Sequence, residues 1–318
     1  MRERLMVFSG RSNPELAEDI CSRLGLAPSP ASFTTFSNEN IKVKIEENVR
    51  EADVFVVQTS CPPVHDHLIE LLIMIDALKY ASAARITAVL PYYPYVLSDK
   101  KDEPRISITA RLIADLITAA GAHRILAMNL HAPQIMGFSR IPVDQLSGIP
   151  TICDYFEKKG IGDFVAAAPD VGRAKVTEKY SQRLGLRMVI LDKRRRDDKE
   201  AAYIEHVIGD VEGKDVVFFD DEVKTGGSLL VGAEALKERG AKRILIGCVH
   251  GVLSGDAAQK IQDSCIEELV VTNSLPLGQD RAVPKITQLS VASLFAEAIK
   301  AIHRGESVSR IFEHAPIM

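Results

Sequence analysis

The sequence predicts an α/β protein built on mainly parallel sheets, in two successive parts. Three observations carry this. Short apolar runs rich in β-branched and aromatic residues recur along the chain, as at Asp53–Gln58, Arg85–Leu90 and Val216–Asp220. Each is followed by a stretch with helical periodicity, so strand and helix alternate and the sheets are covered on both faces. The alternation runs through twice, on either side of Gly148-Ile149-Pro150, in a chain of 318 residues. That length suffices for two domains of ordinary size.

In order, Leu5–Phe8 reads as a strand, Ser9–Pro14 as a loop, and Glu15–Leu24 as a helix that Pro14 opens. Phe33–Phe36 and Ile41–Ile45 read as a paired strand unit. The strand at Asp53–Gln58 leads to a helix from about Asp66 to Ala83. Arg85–Leu90 ends at Pro91-Tyr92-Tyr93-Pro94-Tyr95, which reads as a packed corner or, alternatively, as an edge on which a nucleoside stacks. Ile106–Ala120 is helical in pattern and Arg124–Met128 is a strand.

The second part repeats the scheme with strands at Asp163–Ala168, Arg187–Leu191 and Tyr203–Ile208 and a helix at Lys175–Leu184. Val216–Asp220 follows, then a helix at Leu229–Arg239 that stops at Gly240. Arg243–Val249, a helix after Gly255, a strand at Leu269–Thr272 and a helix at Leu294–His303 complete it.

Composition narrows the function classes. Hydrophobic content of 46% and charged content of 26% provide a core and exclude a disordered chain. A formal charge of -4 gives no general surface for nucleic acid. Five cysteines without CxxC spacing argue against a zinc site or disulfide frame and fit a reducing compartment. The apolar stretch Leu68–Leu78 is broken by Glu70 and Asp76, so no membrane span is expected. The expectation is a soluble cytoplasmic protein.

Ligands of open parallel sheets sit beyond the carboxyl ends of the strands. The polar clusters of this chain fall there. Val216–Asp220 runs into Asp220-Asp221 and then Lys224-Thr225-Gly226-Gly227-Ser228. The free N–H groups at the start of the next helix, a glycine pair and Ser228 suit a phosphate. The two carboxylates accept only, so they suit the hydroxyls of an attached sugar. A capped helix with two solvated acids is the plainer alternative. His131 and Asp170 each follow a strand, and each is either a structural hydrogen-bonder or a group that holds a divalent cation with substrate oxygens. Asp192–Lys199, with Lys193, Arg194, Arg195 and Arg196 consecutive, is either a solvated turn or a basic loop that closes over transferring phosphates. Cys248-Val249-His250 ends an apolar run and reads as core rather than nucleophile.

Together these segments resemble the ribose-phosphate pyrophosphokinases over Val7–Phe312. Ser9-Gly10 with Asn13-Pro14, Glu70–Leu78, Pro91–Tyr95, Leu130–Phe138 with Pro142-Val143-Asp144, Asp192–Arg195, Asp220–Ser228 and Val270–Ser274 carry the similarity. It implies two type I phosphoribosyltransferase-like domains, residues 1–148 and 149–318, with the last helix packed back on the first domain. It also implies pyrophosphate transfer from MgATP to the 1-hydroxyl of ribose 5-phosphate. Asp220, Asp221, Thr225, Gly226, Gly227 and Ser228 would hold the sugar phosphate. Lys193 and Arg195 would stabilise the transferring group, and His131 and Asp170 would serve Mg²⁺. Phe36, Asn38, Asn40 and Asp99 would face the nucleotide, Phe36 from a neighbouring subunit of a homo-oligomer, dimer to hexamer.

The chain departs from the family pattern at the nucleotide side. Leu97 and Ser98 stand where Arg and Gln are usual, Asn38 and Asn40 where carboxylates are usual, and Asn129 in place of Asp. Lys224 replaces an Asp of the sugar-phosphate loop, and Val171–Val176 replaces His-Gly-Gly-Val-Thr-Arg. The alternatives are a catalytically inactive companion subunit assembled with a homologue and, more distantly, a phosphoribosyltransferase.

Overall fold

The computed structural model describes residues 4–194, 203–309 and 311. The chain divides into two compact units. The first holds the chain up to Ser147 with Ser274–Pro276 and the segment from Val291, and the second holds Gly148–Asn273 and Leu277–Ser290.

The first unit contains strands β1 (Arg4–Ser9), β2 (Ala31–Thr35), β3 (Ile41–Ile45), β4 (Ala52–Val57), β5 (Arg85–Leu90), β6 (Arg124–Met128) and β7 (Val143–Leu146). Five of them form a parallel sheet in the order β1-β4-β5-β6-β7, while β2 and β3 pair antiparallel as a separate hairpin. Every residue of β4 is buried, as a central strand covered on both faces requires. Helix α1 (Pro14–Leu24) begins as its sequence indicates, with Pro14 in the first turn and the Asn13 side chain accepting the Leu16 N–H. Helices α2 (Val64–Tyr80) and α3 (Thr109–Ala120) complete the crossovers. The segment at 106–108 is not helical. The Ser98 hydroxyl instead accepts the Thr109 N–H at 3.2 Å and so stands at the start of α3. The last helix, α8 (Ala292–Arg304), packs on α1. Its C-terminal turn is tied to the sheet: buried Asp53 accepts Arg85 Nε at 2.8 Å and meets His303 Nδ1 at 2.8 Å, and Arg85 donates to the Ile302 carbonyl at 3.0 Å.

In the second unit the strands are β8 (Val165–Ala168), β9 (Arg187–Arg194), β10 (Tyr203–Ile208), β11 (Val216–Val223), β12 (Ile244–Gly251), β13 (Glu268–Thr272) and β14 (Ile286–Leu289). They form one sheet in the order β10-β9-β8-β11-β12-β13-β14, parallel except for the β9–β10 hairpin. Its helices are α4 (Ile149–Lys159), α5 (Ala174–Leu184), α6 (Gly227–Glu238) and α7 (Ala257–Gln262). Alternate residues of β11 serve different cores: Val216 and Phe218 pack with Leu229, Ala233 and Leu236 of α6, whereas Val217 and Phe219 pack with α4 and with Tyr180 of α5. Tyr180 stacks on Phe219 with ring centroids 4.1 Å apart. Gly232 lets α6 lie close to β11, since a Cβ there would come within 2.8 Å of Phe218.

Short strands β7 and β14 and helix α4 have no counterpart in the sequence reading. Both strands are four-residue edge strands, VDQL and ITQL, whose polar positions dilute the apolar run. Tyr92 and Tyr93 are buried, as a packed corner demands, while Tyr95 is 38% exposed. Cys248, Val249 and His250 are core residues of β12. Among the described residues no helix is long and apolar enough to cross a membrane.

Candidate active site

The order of the second sheet places the site. From β8 the chain moves through α5 to β9 on one side, and after β10 it returns to β11 on the other side of β8. The crossover direction therefore reverses between β8 and β11, and α5 and α6 lie on opposite faces. A crevice opens at the carboxyl ends of two strands that diverge in this way. Asp170 follows β8, and Asp220 and Asp221 lie on β11 beside it.

β11 is longer than the apolar run suggests. It continues through Val223, because Glu222 and Val223 keep pairing with His250 and Gly251 of β12. The acid pair therefore sits within a strand and has a fixed backbone. Past Val223 the turn is held by Leu253 and Ser254 N–H groups donating to the carbonyls of Val223 and Lys224 at 3.0 and 2.9 Å. Gly226 has φ 74°, the left-handed region, and is the N-cap of α6. Ser228 is thus not the cap residue; it lies in the first turn, exposed beside Thr225 and Gly227. This is the helix N-terminus that the sequence indicates, formed two residues earlier. The open N–H groups of a first turn favour an anion.

The acid pair has a cationic partner that the sequence reading did not assign. Arg173 Nη1 donates to Asp221 Oδ2, and Arg173 Nε lies 3.7 Å from Asp220 Oδ1. Arg173 is itself fixed by Asp170, whose Oδ1 accepts the Arg173 N–H at 3.0 Å as the cap of a short 3-10 turn, Val171–Arg173. Asp220 Oδ1 also accepts the Asp221 N–H at 2.8 Å. Burial raises the Asp220 pKa to about 7; Arg173 pulls it down and Asp221 pushes it up, but burial dominates. A single arginine three positions after Asp170 was the available signal. It gains meaning only when β8 and β11 are neighbours. Lys224 turns toward Glu222, with its Nζ 3.8 Å from Glu222 Oε1, and is half exposed.

Lys193 lies on β9, not in a loop, with its backbone opposite Ile204 of β10. The strand takes up the first part of the basic run because the pairing with β10 extends to Arg194. Arg195 lies outside the described residues. In the first unit, Phe36 is 50% exposed at the tip of the β2–β3 hairpin, next to exposed Asn38 and Asn40. The tip is closed by Phe36 N–H donating to the Asn40 carbonyl at 2.9 Å. Asp99 is half-buried in the loop between β5 and α3. His131 is half-buried just after β6, beyond Asn129, whose φ is 40°.

The donor set can be tested against a divalent cation. Among the described residues no three His, Cys, Asp or Glu side chains gather into a protein cage. Magnesium is commonly held by one or two carboxylates together with phosphate oxygens. Asp170, at the mouth of the crevice and with carboxylate chemistry, fits that role.

Comparison with known proteins identifies the family. A sequence model described as the N-terminal domain of ribose phosphate pyrophosphokinase matches residues 5–121, and one described as the phosphoribosyl synthetase-associated domain matches residues 199–313. The ribose-phosphate pyrophosphokinase of Caldanaerobacter subterraneus subsp. tengcongensis is 48% identical over 97% of this chain and 98% of its own. That of Rhodopirellula baltica is 47% identical over 98% and 99%. The crystal structure of phosphoribosylpyrophosphate synthetase from Mycobacterium smegmatis superposes with a TM-score of 0.90 at 40% identity, covering 95% of this chain and 100% of that one. With relatives of this identity aligned nearly end to end, the chain belongs to the ribose-phosphate pyrophosphokinase family.

Proposed function

We propose that this enzyme transfers the terminal diphosphate of a nucleoside triphosphate, ATP expected, to the 1-hydroxyl of ribose 5-phosphate. The hydroxyl oxygen bonds to the β-phosphorus, the bond from that phosphorus to the α–β bridging oxygen breaks, and AMP leaves. Phosphoribosyl pyrophosphate is the other product. The observation that carries the reading is the crevice between β8 and β11, where a helix N-terminus for a phosphate stands beside a carboxylate pair for a diol.

In this reading the 5-phosphate docks on the first turn of α6, among Thr225, Gly226, Gly227 and Ser228. Asp220 and Asp221 accept the ring hydroxyls. Lys193 and Arg195 neutralise charge that develops on the transferring phosphoryl oxygens. Phe36, Asn38, Asn40 and Asp99 face the nucleotide. His131 and Asp170 would hold Mg²⁺, which screens the phosphate charge when bound. The working division falls after residue 148, with the sugar-phosphate loop in the second domain. A homo-oligomer, dimer to hexamer, would bring the partner's hairpin to the nucleotide, and the enzyme would work in the cytoplasm.

One observation favours a second reading, an inactive companion that assembles with a homologue. The Ser98 hydroxyl is engaged at the start of α3, and no guanidinium stands at Leu97. The purified protein with ribose 5-phosphate, Mg²⁺ and each triphosphate in turn separates the two. Phosphoribosyl pyrophosphate and a nucleoside monophosphate are the expected products. No product with any donor, together with co-purification of a homologue, would establish the companion role.

A further inference from the structure

Two carboxylates and one guanidinium meet at the crevice of the second unit, and a third carboxylate fixes the backbone that carries the guanidinium. Asp170 holds the Arg173 backbone, and the Arg173 side chain reaches across to Asp221 and Asp220. The guanidinium side chain is only 20% exposed, and those of Asp220 and Asp221 are 17% and 10% exposed. Carboxylates this close repel one another in a medium from which water is largely excluded. Left to themselves they would take up a proton or a divalent cation. Arginine is charged at every relevant pH, and its planar fork fixes the direction of the carboxylate that it binds.

We propose that Arg173 is a positioning residue for the sugar: a tethered cation that keeps the Asp220–Asp221 pair aimed at the ribose diol, so that sugar binding needs no divalent cation. This rests on the sugar-phosphate reading above. The diol donates its hydrogens to a pair that is already ordered, and the guanidinium supplies the positive charge from the protein side. Magnesium is then left to the nucleotide. Arg173 touches neither reacting atom; it acts through the two aspartates.

The test is calorimetric titration with ribose 5-phosphate, without nucleotide, in chelator and again in excess Mg²⁺. Wild type is expected to bind equally in both. Arg173→Gln is expected to bind about thirty-fold more weakly in chelator and to regain much of that with Mg²⁺. Arg173→Lys keeps the charge and loses the fork, so it should bind about ten-fold more weakly and remain indifferent to Mg²⁺. In turnover, Arg173→Gln should raise the sugar KM more than it lowers kcat. Thermal midpoints of both variants verify folding, and Arg173→Lys carries the test if Arg173→Gln does not fold. Unchanged affinity of Arg173→Gln in chelator, or a Mg²⁺ requirement in Arg173→Lys or in wild type, would overturn the inference. Absence of binding by wild type in either buffer would overturn the sugar-phosphate reading and this inference with it.

Discussion

The two parallel sheets differ in how their strands are ordered, and the difference accounts for where the charge sits. In the first unit, β1, β4, β5, β6 and β7 follow one another across the sheet in chain order. Each crossover steps the same way, and no two neighbouring strands part to opposite faces. Its buried acids serve structure: Asp53 ties Arg85 and His303, and Glu70 accepts the Arg11 N–H, Arg11 Nε and Gln58 Nε2 at 2.8, 2.5 and 3.0 Å. In the second unit the order reverses between β8 and β11, and the acids there stand at the mouth of a crevice around Arg173. Acids of one chemical type thus act as fasteners in one sheet and as a candidate binding surface in the other. The strand order decides which.

The sharpest test of that contrast is Lys193→Ala on β9. Turnover should fall by about two to three orders of magnitude with little change in ribose 5-phosphate affinity, because the proposed partner is the transition state. Equal losses in kcat and in sugar affinity, measured by steady-state kinetics and calorimetry, would reassign Lys193 to substrate binding.

Next comes Asp220→Asn. The folded pKa of Asp220, about 7, lies above the ordinary value of 3.8. Between those values the folded state holds the proton and the unfolded state has lost it, so stability falls as pH rises from 4 to 7. At about 1.4 kcal/mol per unit the cost at pH 8 reaches at most roughly 4 kcal/mol. Asp220→Asn should therefore raise the thermal midpoint at pH 8, leave it nearly unchanged at pH 4, and weaken sugar binding. A variant no more stable than wild type at pH 8 would remove Asp220 from the list of residues strained for function.

For the first unit the expectation is a loss of stability. Glu70→Ala leaves the Arg11 N–H without its acceptor and takes from Gln58 Nε2 one of its two acceptors, the other being the His67 carbonyl, and should cost about 2 kcal/mol in chemical denaturation. If instead its main effect were on sugar affinity, the contrast between the two sheets would fail. Smallest is the pair of glycines before α6. Gly226→Ala forces a Cβ into the left-handed region at φ 74° and should cost about 1–2 kcal/mol, whereas Gly227→Ala meets only Thr225 Oγ1 at 3.8 Å and should be near neutral for stability. Equal denaturation midpoints for the two variants would show that the turn adapts.

Much of this was legible before any fold was built. The bounds of β5, β6 and β10 coincide with their apolar runs, and Asn13-Pro14 marks the start of α1. The strand–turn–helix segment around Asp220–Ser228 was readable because strand, acids, glycines and helix are consecutive. The edge strands β7 and β14 were not, since an edge position tolerates polar residues that interior strands exclude. Nor was the extent of β9 or β11 readable, because pairing with β10 and β12 carries polar residues into the ladder.

What the sequence by itself determined is local: which segments are strands or helices, where a glycine turn opens a helix after an acid pair, and the family resemblance. Only the tertiary structure decided that β8 and β11 are neighbours, and with it that Arg173 faces Asp220 and Asp221 from a segment 47 and 48 residues away in the chain. The physical reason is that backbone propensity and periodicity act within a few residues. Charge pairing acts through space and has no signature until the sheet brings its partners together.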